Sequence, residues 1–98
     1  MNDDARSLLV FFSSSRSGPS RRMESLLAHI ARKERRRLRV LQVDLDRRRD
    51  LADRFAVTSA PTLVLVFDNR AVARIDGRAS APRIESMLAQ HLGTQAAV

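Results

Sequence analysis

The chain of 98 residues is long enough for one domain around a single hydrophobic core, and its composition, 44% hydrophobic and 30% charged, is that of a folded globular protein. It has no cysteine, which excludes disulfide bonds, thiolate metal sites and thiol catalysis. The net charge of +7 favours anionic partners such as nucleic acid or acidic proteins.

The first part of the chain predicts a strand–helix–strand unit. Leu8–Phe12 is a continuous apolar run with the length of a strand that is buried on both faces. A serine-rich loop follows, and Ser17 is a suitable N-cap for a helix with Pro19 in its first turn. The helix has apolar residues at helical spacing: Met23, Leu26, Leu27 and Ile30. The basic run Arg35–Arg37 closes it, and Leu38–Leu45 predicts the second strand.

The middle of the chain predicts a short helix and a third strand. We expect Asp46 to cap a helix that runs to about Phe55. Its inward-facing residues would be Leu51, Ala52 and Phe55. The segment VTSAPT reads as a turn, and Leu63–Phe67 as the strand that follows it.

The last part predicts a hairpin and a helix. Asp68–Asn69 tolerates the positive φ of a tight turn, which leads into a fourth strand at Ala71–Ile75 that ends at Gly77. Ser80 would cap a final helix with apolar residues at Ile84, Met87, Leu88 and Leu92. The order β-α-β-α-β-β-α predicts an α/β fold: one four-stranded mixed sheet with helices on both faces, in which the first two strands are parallel.

Three short motifs punctuate these elements: a Gly-Pro pair flanked by serines at residues 17–20, Ala60-Pro61-Thr62 before the third strand, and Gly77 after the fourth. In this order and spacing the chain resembles the thioredoxin family, over about residues 6–93 of a single 1–98 domain. The resemblance implies a thioredoxin-like fold, with Ser17-Gly18-Pro19-Ser20 at the position of the family's Cys-Gly-Pro-Cys motif. It also implies that Pro61 follows a cis peptide bond.

The redox chemistry of the family does not carry over to this chain. Thiol–disulfide exchange needs a thiolate nucleophile and a second thiol that resolves the mixed disulfide. Ser17 and Ser20, the former redox positions, offer only hydroxyls, so we expect no disulfide reductase activity. Arg16 replaces a typical tryptophan of the family, and Phe11 stands where the resemblance places a buried acid. Two explanations stay open: a redox-inert domain, or a Cys-to-Ser form of a thiol–disulfide oxidoreductase.

A peptide-binding surface could persist without the thiols. The resemblance implies that backbone beside the proline pairs with an extended peptide, in the manner of strand addition. The residues implied are Ser13, Arg16, Ser17, Gly18, Pro19, Ser59, Ala60, Pro61, Gly77 and Arg78. Because Arg21 and Arg22 follow closely, we expect this groove to favour acidic or phosphorylated protein segments.

A second alternative is non-specific nucleic-acid binding through the clusters Arg32–Arg39 and Arg47–Arg49, which we expect at one edge of the sheet. The four aromatic residues, all Phe, are expected in the core, so no platform is left on which bases could stack. We expect no cofactor, and His29 and His91 lack the spacing of a metal site. The chain has no apolar run near the roughly 18 residues of a membrane span, and its acidic start is not typical of a secretory signal. A cytoplasmic protein with no membrane partner is therefore expected.

Overall fold

Helices and strands follow one another in the predicted order. The computed structural model describes residues 6–92, so the two ends of the predicted 1–98 domain, residues 1–5 and 93–98, lie outside the described residues. The elements are β1 Ser7–Ser13, α1 Gly18–Lys33, β2 Leu38–Asp44, α2 Arg49–Arg54, β3 Thr62–Phe67, β4 Arg70–Asp76 and α3 Ala81–Leu92. The sheet order is β2-β1-β3-β4; β1 and β2 are parallel, and the other pairs are antiparallel. The predicted mixed four-stranded sheet is confirmed.

The central strand β1 supplies side chains to two separate hydrophobic clusters. Successive residues of a strand point to opposite faces of the sheet. Leu9 and Phe11 therefore pack with the buried residues of α1 and α3, whereas Val10 and Phe12 pack with Ala52 of α2. The helices cover both faces, as predicted, and β1 is an apolar run because neither of its faces meets water.

The start of α2 differs from the prediction that Asp46 caps it. The helix begins at Arg49, and its N-cap residue Arg48 makes no capping hydrogen bond through its side chain. The backbone N–H of Asp46 instead donates to Oδ1 of Asp44 at 2.8 Å, and the Asp44 carbonyl accepts from the amide of Arg48 at 3.0 Å. The first carboxylate after β2 closes a local turn, so the chain enters α2 two residues later than a cap at Asp46 would require.

The hairpin and the last helix begin as predicted, but one phenylalanine does not lie in the core. Asp68 and Asn69 have φ of 55° and 65°, the left-handed pair that a tight hairpin needs. Ser80 accepts from the backbone N–H of Arg83 at 3.4 Å as α3 begins. Phe67 is 53% exposed, which corrects the expectation that all four phenylalanines are buried. It is the last residue of β3, beside the hairpin and outside both clusters.

Within residues 6–92, no helix combines the length and the apolarity needed to cross a bilayer.

Candidate functional site

The pairing register brings the predicted site residues to one end of the sheet. Ser13 is level with Asp44, Phe12 with Thr62, and Thr62 with Asp76. The loops that continue from these positions are residues 14–17, 45–48, 59–61 and 77–78, and all of them therefore emerge at this end. We call it the motif end. The opposite end, where Ser7, Leu38, Phe67 and Arg70 lie, is called the distal end.

Ser17 and Ser20, the two former redox positions, hold the loop and the helix start together. Ser17 is the N-cap of α1, and its Oγ accepts from the backbone N–H of Ser20 at 3.1 Å. Ser20 is fully buried, and its Oγ accepts from the backbone N–H of Ser14 at 3.4 Å. The Ser14 hydroxyl in turn accepts from the amide of Arg16 at 3.2 Å. Both hydroxyls thus act as structural hydrogen-bond acceptors, a role that suits serine at a helix N-terminus.

Beneath this loop the core is apolar. Phe11, which the resemblance places where the family has a buried acid, is 1% exposed and belongs to the cluster that contains Met23 and Leu27. His29 lies on α1 about three turns beyond Ser17, so it is too far along the helix to act as a base for that hydroxyl. Among residues 6–92 there is no group of three or more side chains suited to a metal ion.

The loop before β3 forms the second wall of the motif end. The Ala60–Pro61 peptide bond is cis, and Pro61 is buried. The Pro61 carbonyl accepts from the amide of Gly77 at 2.8 Å, and the Ser59 carbonyl accepts from the hydroxyl of Thr62 at the same distance. Gly77 has φ of 85°, a conformation that L side chains rarely adopt, although a Cβ there would meet no atom within 4 Å.

Ser13 does not belong to the exposed surface that the sequence predicts. It is only 6% exposed, and its Oγ accepts from Nε2 of Gln42 at 3.1 Å. The same amide also donates to Glu24, so a side chain of the edge strand β2 covers Ser13. The contact between Ser13 and Gln42 of the adjacent strand could not be read from the local sequence.

Within residues 6–92, several arginines at the motif end have no carboxylate partner. The ion pairs of this part of the chain include Lys33–Glu85, Arg37–Glu34, Arg48–Asp50 and Arg74–Asp76. None of them includes Arg16, Arg21, Arg22 or Arg78, and all four of these side chains are exposed. Arg21 and Arg22 line a shallow depression of about 480 Å³ together with Gly18 and Glu24. In the part of the chain that the structure describes, no ion pair therefore neutralises the charge of these four arginines.

Acidic side chains also lie at the motif end. The Ser14 hydroxyl donates to Oδ2 of Asp46 at 3.4 Å, and Asp44 ends β2 beside Ser13. The two strands of a parallel strand–helix–strand unit terminate at the same end of the sheet. The order of the elements therefore predicts that these carboxylates lie beside Ser13. Asp44 and Asp46 lie on the β2 side of the motif end, whereas Asp76, Gly77 and Arg78 lie at the end of β4.

The two predicted basic clusters adjoin the edge strand β2. Arg32–Arg39 runs from the end of α1 into the start of β2, and Arg47–Arg49 follows the end of β2. The five steps of strand from Arg39 to Asp44 lie between them, about 17 Å at the usual rise of a strand. Both clusters lie at the β2 edge of the sheet, as expected, and nucleic-acid binding through them stays a prediction.

The chain matches the thioredoxin family model over residues 1–90. It is 32% identical to Thioredoxin-1 of Drosophila yakuba over 87 residues, which is 89% of this chain and 80% of the relative. The structure of the germline-specific thioredoxin Deadhead of Drosophila melanogaster superposes with a TM-score of 0.83 at 32% identity, over 90% of this chain and 83% of that one. Fasciola hepatica thioredoxin gives 0.82 at 25% identity, with the same two shares.

Proposed function

The chain belongs to the thioredoxin family, and we propose that it is a redox-inert member that binds an extended, acidic protein segment at the motif end. The observation that carries the proposal is that the serine hydroxyls and the arginines at the motif end have different roles. The hydroxyls of Ser17 and Ser20 accept hydrogen bonds that hold the loop, while the arginines around that loop have no carboxylate partner within residues 6–92.

The redox-inert part of the proposal follows from the chemistry of the two serines. A hydroxyl has too high a pKa to attack a disulfide at neutral pH, and the chain has no thiol that could resolve a mixed disulfide. Both hydroxyl oxygens also accept backbone hydrogen bonds, so they replace the former redox pair with a structural one. The loop would thereby keep its conformation without the chemistry of thiol–disulfide exchange.

The binding part rests on the surroundings of Pro61. An extended segment that runs beside Ser59, Ala60 and Pro61 would gain main-chain hydrogen bonds, which are largely independent of its sequence. Selectivity for acidic segments would come from Arg16 and Arg78, since guanidinium groups bind carboxylates and phosphates with two parallel hydrogen bonds. Such contacts are exposed and would weaken as the salt concentration rises.

The proposal is tested with a fluorescent nine-residue peptide that alternates Glu and Val, and a second one that alternates Lys and Val. We expect saturable binding of the Glu peptide only, measured by fluorescence polarisation. Arg16→Gln should weaken it about fivefold to tenfold, the size of one charged hydrogen bond at an exposed site. Arg36→Gln at the distal end is the matched control, because it removes the same charge from another exposed position. Equal loss in both variants, or equal binding of both peptides, would contradict the proposal.

The Cys-to-Ser alternative has a separate test. Ser17→Cys combined with Ser20→Cys restores the two thiols, and insulin reduction is then measured with a chemical reductant and with a thioredoxin reductase. We expect a folded protein with little activity, because the apolar Phe11 gives no carboxylate beneath the motif and Arg16 replaces the family's tryptophan. Robust turnover would favour the oxidoreductase alternative over the redox-inert domain.

A further inference from the structure

A second depression lies between the end of α2 and the edge strand β4. Its volume is about 410 Å³, within the range of about 300–1,000 Å³ that small-molecule sites occupy. The side chains that matter for its chemistry are Arg54, Phe55, Val64, Val72 and Arg74. Val64 is 1% exposed and forms the floor, while Val72 is 39% exposed and forms part of the rim.

Arg74 holds one side of this depression in place. Its guanidinium donates to the carbonyl of Phe55 at 2.8 Å and to that of Ala56 at 3.4 Å, which ties the end of α2 to β4. It also donates to Oδ1 of Asp76 at 2.8 Å. The side chain is therefore fixed by bonds to two different elements, and its charge is largely balanced by one carboxylate.

Arg54 forms the other side, and its charge is not balanced. Its guanidinium carbon lies 5.9 Å from the centre of the Phe55 ring, close enough for a cation–π contact. The Phe55 ring in turn packs edge-on against Phe12, with ring centres 6.2 Å apart, so it is anchored to the core. None of the ion pairs found within residues 6–92 includes Arg54. The guanidinium is thus oriented by a ring while its N–H groups have no carboxylate to bind.

We propose that this depression binds a small monocarboxylate with an apolar body. Two guanidinium groups and one Asp76 carboxylate leave one net positive charge, which matches a single carboxylate. The floor of Val64 and the rim of Val72 match an aromatic or branched hydrocarbon portion. This site is on the α2 face of the sheet and does not depend on peptide binding at the motif end.

The test is a titration of the full chain with 3-phenylpropionate, followed by the backbone amide signals in ¹H–¹⁵N NMR spectra. We expect saturable shifts at Phe55, Ala56 and Val72 in the low-millimolar range. The alcohol 3-phenylpropan-1-ol has the same apolar body without the charge, and it should bind about tenfold more weakly. Arg54→Gln should lower the affinity for the acid to that of the alcohol.

Two controls separate this site from the rest of the surface. Arg49→Gln removes a charge from the other end of the same helix and should leave the affinity unchanged. Arg16→Gln, which is expected to weaken peptide binding, should leave it unchanged as well. The proposal is overturned if the acid and the alcohol bind equally, if Arg54→Gln binds the acid as tightly as the natural chain, or if the shifts fall at the motif end.

Discussion

At the distal end of the sheet, basic side chains hold the fold together, whereas the arginines around the Ser14–Ser20 loop of the motif end make no ion pair within residues 6–92. Nε of Arg37 donates to Glu34 at 2.7 Å in a pair that is mostly shielded from solvent, Lys33 reaches Glu85 at 3.2 Å, and Arg6 donates to the carbonyl of Arg35. At the motif end it is uncharged serines that make the structural bonds. Some arginines of this chain are therefore structural and others are not, and only the structural context distinguishes the two kinds.

The largest expected effect on stability comes from placing a carboxylate in the core beneath the motif end. Phe11→Asp removes a buried ring below the motif loop and leaves a carboxylate without a partner, which should lower the free energy of unfolding by about 3–5 kcal/mol. Phe67→Asp makes the same change at the distal hairpin, where the ring is 53% exposed, and should lower it by less than about 0.5 kcal/mol. Urea denaturation at pH 7 measures both. Similar losses would show that the two ends do not differ in packing.

Loss of the motif-end cap should have a smaller effect. Ser17→Ala leaves the amide of Ser20 without its acceptor and should destabilise the chain by about 1 kcal/mol. Ser15→Ala, in the exposed part of the same loop, is the control and should change stability little. Thermal and urea denaturation of both variants would test this. A Ser17→Ala variant as stable as the natural chain would mean that the hydroxyl is not structural.

A third comparison concerns the arginines themselves. Arg37→Gln breaks the partly buried pair with Glu34 and should lower stability by up to about 1 kcal/mol, less at high salt. Arg22→Gln at the motif end removes an equal charge and should leave the free energy of unfolding unchanged within error. Denaturation at low and high salt distinguishes them. Equal effects would remove the distinction between structural and uncommitted arginines.

The smallest expected effect on stability comes from the ion pair between Arg48 and Asp50 at the start of α2. The hydrogen bond from Arg48 lowers the pKa of Asp50 below its usual value, and both side chains are exposed. A lowered folded-state pKa stabilises the chain above the unfolded value of about 4 and loses that effect as the pH falls through the folded value. Asp50→Asn should therefore melt at or barely below the temperature of the natural chain at pH 7. No difference should persist well below pH 4.

The fold was predictable because its signals are local. Helical spacing marks α1 and α3, an uninterrupted apolar run marks β1, and Asp68–Asn69 marks the hairpin. The misplaced features depend on neighbours that are distant in sequence. Ser13 is buried beneath the side chain of Gln42 from the neighbouring strand, and Phe67, at the hairpin end of β3, lies outside both hydrophobic clusters.

The prediction that Asp46 caps α2 was wrong for a different reason. Asp44 and Asp46 are both able to close a turn, and the sequence does not say which one does so. The positions of the two arginine clusters, in contrast, were predictable, because both adjoin the same strand, β2. The depression beside Arg54 was missed because its walls come from α2 and β4, which no local pattern connects.

The central claim is tested most directly by locating the bound acidic peptide. Backbone amide NMR signals of the natural chain are followed while the alternating Glu and Val peptide is added. We predict shifts concentrated in residues 14–20, 59–62 and 77–78, with the distal end unchanged. Shifts along Arg32–Arg39, or shifts spread evenly over every exposed arginine, would show non-specific attraction to a basic surface and would contradict a binding site at the motif end.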